Sequence, residues 1–463
     1  MKTLYFIIAL LFLSSSSSKS QILDTAFFQG NYDATSDRII DRIMQDSLAW
    51  EHLAYMCDTY GTRLSGSAGL EQSLDWLAEQ MKKDGLENVH KEKVMVPVWR
   101  RNKEYCQMIE PRKKDFRMLG LGGSIATPKD GITAHILMVQ SFDELDQRAS
   151  EAKGKIVVFN SKWQDYGKTV QYRFNGADAA SKYGALAVLV RSVSPVGLNN
   201  VHTGMMYYSD EVKRIPIAAI THEDTDLLDR MQKRGQNPLV KLYMEADTLP
   251  DALSYNLIAE IKGSEKPDEI VAFGGHIDSW DIGQGAHDDG AACIAAWHIL
   301  KVFKELNIRP KRTLRVVMWA NEENGVRGGK QYAIDHKDEK HALLLEWDCG
   351  VFPPQGLGFM GDEGAYKLIC NFIPLLKKIR PVEATKARWV GVDIGPMMKQ
   401  NNVPSIGFDT DDGGVYFWYH HSPIDTPDKI DPKIYNECIA AIALSVFIYA
   451  DMPIDLMQFV PKN

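Results

Sequence analysis

The sequence lacks the patterns that mark several large classes of protein. Its 463 residues carry 53 Lys plus Arg against 61 Asp plus Glu, a formal net charge of −8, with no long basic stripe. This balance argues against nucleic acid as a partner. With 45% hydrophobic and 25% charged residues, the composition also excludes disordered, collagen-like and coiled-coil proteins. We therefore expect a globular protein with one large domain and a second module.

Several catalytic motifs are also missing. The chain has no Gly-x-Ser-x-Gly elbow, no phosphate-binding P-loop and no dinucleotide-binding fingerprint. The nearest approach to the zinc-protease motif HExxH begins at His222, but Asp226 stands where the second histidine should be. The six cysteines include no Cys-x-x-Cys pair, and their spacing does not reveal a disulfide pairing.

One apolar run, at residues 4–13, is followed by a serine tract and preceded by Lys2. Its ten residues are too few to span a bilayer, which needs about twenty. The pattern is typical of a secretory signal peptide cleaved near Ser20 or Gln21. We therefore expect a protein that is secreted or periplasmic and has no membrane attachment after cleavage.

From residue 254 onward, strand-like and helix-like segments alternate. Short apolar runs predict strands at 256–261, 270–273, 314–320, 343–347 and 405–408. Helical spacing predicts helices at 289–306, 329–338, 366–379 and 432–449. We expect the first two strands to be neighbours. The alternation indicates an α/β fold with a mostly parallel sheet flanked by helices.

The first half of the chain has a different pattern. Residues 37–81 are predicted to be largely helical, with a break at 61–66. Between residues 119 and 246 we predict a compact β-rich insert, with short strands at 155–159, 185–190 and 215–220. The predicted parts are a signal peptide (1–20), the N-terminal part of a catalytic domain (21–118), the inserted domain (119–246) and the main catalytic part (247–463).

Metal-ligating side chains follow three predicted strands, and others stand in nearby loops. They are, in chain order, His276, Asp288, Glu323, Asp348 and His421. The carboxyl ends of parallel strands meet at one sheet edge, where α/β proteins bind ligands. Imidazole and carboxylate suit zinc, so we expect His276 and Asp348 to hold one zinc ion. Glu323 and His421 would hold the second, and Asp288 would bridge the two ions.

Two neighbouring carboxylates have other predicted roles. Side chains alternate along a strand end, so Glu322 should point away from its ligand neighbour and act as general base for a water that bridges the metals. Asp278 stands two residues after His276 and is expected to accept its other ring N–H. By chemistry alone, the residues that remain as alternative ligands are His287 and Asp289.

These motifs resemble those of the zinc-dependent exopeptidase family that includes bacterial aminopeptidases and glutamate carboxypeptidases. The resemblance covers nearly the whole mature chain and is carried by residues 61–67, 86–89, 274–281, 283–290, 321–325 and 420–422. It implies a phosphorylase/hydrolase-like α/β catalytic domain, with an insert similar to a protease-associated domain. It also implies the ligand set given above, a cis peptide bond after Asp288, and a homodimer.

The resemblance bears on three further positions. It selects His421 over the adjacent His420 as ligand, because the ligand position is the one followed by Ser or Thr. It places Asp393 in the substrate pocket, and His420 is a second candidate for contact with substrate. At position 287 close relatives have a small or apolar residue, so His287 is expected to perturb the bridging Asp288.

The predicted function is that of a secreted di-zinc exopeptidase with Glu322 as general base. It would hydrolyse dipeptides or the terminal residues of short peptides, through a water molecule that bridges the metals. A carboxypeptidase acting on the C-terminal residue is the main alternative. A glutaminyl cyclase, which uses one zinc ion, and a non-catalytic receptor-like binding protein, which would lose ligands, are less favoured.

Overall fold

A computed structural model describes residues 23–460, so the expected signal peptide lies outside the described residues. The chain begins with three helices, α1 (Thr25–Met44), α2 (Leu48–Tyr60) and α3 (Ala68–Lys83). Asp24 and Ser67 cap α1 and α3 by accepting backbone N–H groups of the first turn. The predicted helical segment and its break at 61–66 are confirmed.

Fourteen strands are hydrogen-bonded into one sheet within the described residues. They are β1 (Glu87–Glu110), β2 (Lys114–Phe116), β3 (Met118–Gly120), β4 (Ile132–Val139), β5 (Ile156–Phe159), β6 (Ala187–Arg191), β7 (Ile217–Ile220), β8 (Leu239–Ile261), β9 (Lys266–His276), β10 (Arg312–Trp319), β11 (Lys340–Glu346), β12 (Pro354–Met360), β13 (Glu383–Lys386) and β14 (Ser405–Thr410). The order is β13-β12-β14-β11-β9-β10-β8-β4-β5-β6-β7-β3, with β1 paired to β8 and β2 to β1.

The remaining helices cover the two faces of this sheet. They are α4 (Phe142–Gln147), α5 (Ala149–Ala152), α6 (Tyr166–Ser181), α7 (His222–Lys233), α8 (Ala291–Glu305), α9 (Arg327–Asp335), α10 (Glu363–Leu376), α11 (Gly395–Asn401), α12 (Tyr416–Tyr419) and α13 (Pro432–Asp451). Among residues 23–460, α13 alone is long and apolar enough to cross a membrane, yet 89% of its apolar window is buried in the fold. It is built as a core helix, packed on α1, α8 and α10.

The sheet is mixed rather than mostly parallel. Strands β9, β10, β11 and β14 form the predicted parallel centre, but β8 runs antiparallel to both β10 and β1. The strands predicted at 256–261 and 270–273 are not neighbours, because β10 lies between β8 and β9. The long β1 strand was not predicted, because charged and apolar side chains do not alternate regularly along it.

The insert, residues 119–246, contains its three predicted strands as β5, β6 and β7. They are parallel; α6 joins β5 to β6, and a loop at residues 192–216 joins β6 to β7. Because helices α4 to α7 accompany these strands, the insert is α/β rather than β-rich. Apolar residues lie on both of its faces, where α6 and α7 pack on opposite sides. Strand β8 runs without a break across residue 246, pairing with β4 at its start and β10 at its end. This continuous strand places the insert beside the main sheet.

Candidate metal centre

The five predicted metal ligands converge at the carboxyl edge of the parallel strands. His276 is the last residue of β9, Glu323 follows β10, and Asp348 follows β11. Asp288 lies in a kinked helical turn, Ala286–Gly290, before α8, and His421 lies just after α12. We call these five residues the metal centre. Because β9, β10 and β11 are parallel neighbours, their ends meet at one point.

Asp288 lies at the middle of the metal centre. Its Oδ1 is 3.2 Å from His276 Nε2, which is also 3.7 Å from Asp348 Oδ1. Its other oxygen, Oδ2, is 3.4 Å from His421 Nε2, and the same nitrogen lies 3.0 Å from Glu323 Oε2. The two oxygens of one carboxylate therefore face two separate pairs of ligand-type groups.

The donor atoms of the metal centre fit a cation. His276 Nε2, Asp288 Oδ2 and Glu323 Oε1 are buried and have no hydrogen-bond partner. Buried polar atoms in proteins nearly always have a hydrogen-bond partner, so this cluster of unpaired acceptors indicates a site for a cation. Two overlapping groups of three residues, both containing His276, and a third group around Asp288 have ligand atoms close enough to share an ion. Nitrogen and oxygen donors of this kind suit zinc.

The ring of His276 is oriented differently from the prediction. Its Nδ1 donates to the backbone carbonyl of Asp278 at 2.9 Å, whereas the Asp278 carboxylate is 3.8 Å away. That carboxylate instead accepts the backbone N–H groups of Glu322 at 3.0 Å and Glu323 at 3.4 Å. Asp278 therefore fixes the ring tautomer through its main chain and holds the two glutamates through its side chain.

His420 and His421 both approach Asp288. The His421 ring contacts two carboxylates, while His420 Nε2 reaches only Asp288 Oδ2, at 3.7 Å. The two rings are stacked with centroids 3.6 Å apart. Burial, together with the nearby His420 and Arg173, lowers the pKa of His421 well below its usual value. The ring is therefore neutral at neutral pH, as a metal ligand must be.

His287 points away from the metal centre, so the expected perturbation of Asp288 is not found. Its ring is stacked between Phe352 and Tyr419, at centroid distances of 5.1 and 5.2 Å. Its Nδ1 accepts the backbone N–H of Val351. Burial lowers the pKa of His287 to about 4, so the ring is neutral. It acts as an aromatic packing residue.

Asp289, the other alternative ligand, binds the main chain of the ligand residue His276. Its Oδ2 accepts the backbone N–H of His276 at 3.2 Å, although it lies within ligand distance of His276 and Asp348 as well. A Cβ at Gly275 would stand 2.1 Å from this oxygen, which explains the glycine before His276. The peptide bond between Asp288 and Asp289 is cis, as the resemblance implies.

Two buried side chains that the sequence reasoning missed hold the loop before Asp288. Arg63 donates to the carbonyls of Ile277, Gln284 and Gly285 at 2.7–2.8 Å. Asp425 accepts the backbone N–H groups of the turn that contains Asp288. Burial and the nearby Asp288 raise the pKa of Asp425 to about 7. Arg63 stood in a segment that resembles the family, but no pattern marked Asp425.

A cavity of about 640 Å³ opens beside the metal centre. Its other walls are formed mainly by aromatic and apolar side chains and by Arg173, and include Tyr166, Met205, Trp389, Val392, Tyr416 and Phe417. Glu322 lines this cavity. Burial and the carboxylates of Asp348 and Asp288 raise the pKa of Glu322 well above its usual value. Glu322 is thus a carboxyl group placed to exchange protons beside the metal centre.

Asp393 does not line the cavity, although it was predicted to contact substrate. It is buried with no partner for its carboxylate, and its neighbour Val392 forms the cavity wall instead. Glu346 lies nearby and accepts the backbone N–H groups of Val392 and Ile394, both at 2.9 Å. His420, the second predicted substrate residue, does line the cavity.

The fold and the metal centre define a metallopeptidase. The model of peptidase family M28 matches residues 256–446, the segment that carries the metal centre. The chain is 44% identical over 429 residues to carboxypeptidase Q of Mus musculus, covering 91% of this chain and 90% of the relative. The chain therefore belongs to peptidase family M28.

Solved structures agree with this assignment. A peptidase M28 precursor from Shewanella amazonensis superposes with a TM-score of 0.89 and 33% identity, covering 94% of this chain and all of the other. A zinc aminopeptidase from Bacillus subtilis has the same fold, with a TM-score of 0.65 and 18% identity over 87% of this chain and 97% of its own.

Proposed function

We propose that the chain is a di-zinc exopeptidase that hydrolyses dipeptides or removes terminal residues from short peptides. The observation that carries this proposal is the arrangement around Asp288, whose two oxygens face a His276–Asp348 pair and a His421–Glu323 pair. One carboxylate between two such pairs is the arrangement that two zinc ions require.

The metal centre and cavity support a hydrolytic mechanism. Two zinc ions bound there would lower the pKa of a water molecule and polarise the scissile carbonyl. Glu322 would accept the proton of the attacking water and pass it to the leaving amine. Its backbone N–H is fixed by the Asp278 carboxylate, so the side chain is presented from a rigid turn. The aromatic walls would hold the substrate side chains.

A cavity of about 640 Å³ suits a dipeptide or one end of a short peptide rather than a folded protein. We also propose that the protein is secreted, that its insert acts as a protease-associated domain, and that it forms homodimers without nucleic acid or membrane partners. Carboxypeptidase activity is the second candidate, and it is favoured by the similarity to mouse carboxypeptidase Q.

The test is hydrolysis of one unblocked dipeptide beside its N-acetylated and C-amidated forms, each with and without a chelator. Chelator-sensitive cleavage that needs the free amine would support an aminopeptidase or dipeptidase. Cleavage that survives N-acetylation but not amidation would support the carboxypeptidase. A chain with two zinc ions bound and no activity on any form would contradict the proposal. One bound zinc ion would point to the cyclase alternative.

A further inference from the structure

One segment of the insert contacts the loop that carries His420 and His421. The backbone N–H of Thr203 donates to the carbonyl of His421 at 2.9 Å, and His421 Nδ1 lies 3.3 Å from the carbonyl of Thr203. Beside them, His202 Nδ1 donates to the carbonyl of His420 at 2.6 Å. A metal ligand from the catalytic part is therefore held by the main chain of the insert.

The Thr203 carbonyl determines which nitrogen of His421 faces the carboxylates. A carbonyl can only accept, so His421 Nδ1 carries the proton and donates. The lone pair of Nε2 then faces Glu323 and Asp288, as ligation requires. The backbone of His421 has a φ of +58°, a left-handed conformation that residues other than glycine rarely adopt. Contacts from outside its own loop are needed to hold it there.

Arg173, on helix α6 of the insert, fixes Thr203 in turn. Its Nη1 donates to the Thr203 carbonyl at 3.0 Å and lies 3.4 Å from His421 Nδ1, and its Nη2 donates to Tyr166 at 3.0 Å. The Arg173 side chain is buried. Gly204 has a φ of +136°, and a Cβ there would stand 2.3 Å from the guanidinium. The absence of a side chain at Gly204 therefore leaves room for the Arg173 guanidinium where the insert contacts His421.

We propose that Arg173 and Thr203 are positioning residues for the half of the metal centre formed by Glu323 and His421. The insert then does more than wall the cavity, because it sets the affinity of this half for its metal ion. In the half formed by His276 and Asp348, His276 is oriented by the carbonyl of Asp278, which follows β9 and lies outside the insert. We therefore expect this half not to depend on the insert. This inference rests on the proposed di-zinc function. It predicts that the binding of one zinc ion depends on the insert and that the binding of the other does not.

The test is zinc titration of the full chain by competition with a chromophoric chelator. In Arg173→Met an unbranched apolar side chain replaces the stem of the arginine, and the guanidinium donors are lost. We expect one zinc ion to bind as in the wild type and the second to bind about 10–100-fold more weakly, the usual effect of removing a partner that orients a ligand. Arg173→Lys, which retains one donor group, should recover part of the affinity. Gly204→Ala should weaken the same ion by displacing the guanidinium.

A matched control is Arg191→Met, because Arg191 is also a mostly buried arginine of the insert but bonds Asn160 and Asp226 instead. It should bind both ions as the wild type does. His421→Ala identifies the ion affected, and adding Arg173→Met to it should not weaken the remaining ion further. If Arg173→Met bound both ions normally, or lost both equally, the inference would be wrong. A wild-type chain that bound fewer than two ions would contradict the proposed function itself.

Discussion

At the scale of single residues, Arg63 shows how far the metal centre depends on a side chain that never touches it. It is fully buried, and its guanidinium donates to three carbonyls in the loop that precedes the metal-binding turn. A hydrophobic side chain cannot replace these donors, and each buried carbonyl left unpaired costs about 1–3 kcal/mol.

Arg63→Leu should therefore lower the free energy of unfolding by about 3 kcal/mol or more. It should also weaken zinc binding, because the turn that carries Asp288 loses its support. Urea unfolding of the metal-free protein and a zinc titration measure the two effects. The control is Arg309→Leu, an exposed arginine paired with Glu87, which should change stability by less than about 1 kcal/mol. Equal stability of the two variants would refute the role given to Arg63.

Glu322→Gln separates catalysis from metal binding. If Glu322 is the general base, the amide cannot accept the proton, and kcat should fall by about 10²–10⁴-fold. Zinc content should stay at the wild-type value, because Glu323 is the neighbour that contacts His421. Dipeptide hydrolysis and metal analysis of the same sample provide both measurements. Glu79→Gln, on the exposed face of α3, is the control. If the variant lost bound zinc and activity to the same extent, Glu322 would be a metal ligand rather than the general base.

At the scale of elements, an ionic contact joins the end of helix α9 to strand β1. His336, the residue that follows α9, has Nε2 2.9 Å from Glu92 and Nδ1 3.0 Å from Glu339. Burial alone would lower the pKa of His336, but the hydrogen bonds to Glu339 and Glu92 raise it to about 9. Because the folded-state pKa lies above the usual 6.5, this contact stabilises the fold fully below about pH 6.5 and is lost as the pH rises towards 9.

The prediction is a pH-dependent difference between the wild type and His336→Gln. The variant should be less stable near pH 6, and the difference in unfolding free energy should shrink by about 2 kcal/mol as the pH rises above 9. Denaturant unfolding at several pH values measures it, and taking the difference between the two proteins cancels the titration of other groups. His135→Gln, at a partly buried histidine of β4 that bonds backbone carbonyls rather than carboxylates, is the control. A difference that stays constant with pH would show that His336 is not charged in the fold.

Most elements of the main sheet could be predicted because each carries its own periodic pattern. Strand β10 and helix α13 lie within two residues of the predicted bounds. Pairing could not be predicted in the same way, since the position of β10 between β8 and β9 depends on contacts across the sheet. The long pairing of β1 with β8 was missed for the same reason. Its partners are far apart in the sequence: Lys93, for example, faces Tyr255, 162 residues later.

At the scale of the whole molecule, the predicted ligands converge because they stand at strand ends that the sheet brings together. Residues that support them were missed where they act through the main chain or across the insert. Any residue can present a carbonyl, so nothing in the sequence marked Thr203 as the partner of His421. Likewise, Asp425 lies 137 residues from the Asp288 backbone that it holds. The convergence of the predicted ligands at one sheet edge could thus be predicted from the sequence, whereas the residues that hold them in place could not.

The buried carboxylates of the metal centre also affect the stability of the whole fold. Burial raises the pKa of Glu322, Glu323 and Asp348, and further carboxylates close to each of them add to the effect. Without cations, these groups must either hold protons or repel one another at neutral pH. Zinc bound there would remove this conflict and would favour the folded arrangement, so we expect it to stabilise the fold by about 4 kcal/mol per site at a thousand times its dissociation constant.

Removal of zinc by a chelator should therefore lower the melting temperature by several degrees, and added zinc should restore it. Differential scanning calorimetry at fixed pH measures the shift, with magnesium as a control cation that prefers all-oxygen sites. Asp288→Asn reduces the charge of the bridging carboxylate, so its melting temperature should respond much less to zinc. Two zinc ions should shift the wild type more than the single ion that remains in His421→Ala. A melting temperature unaffected by chelator and zinc would show that these carboxylates are not stabilised by a metal.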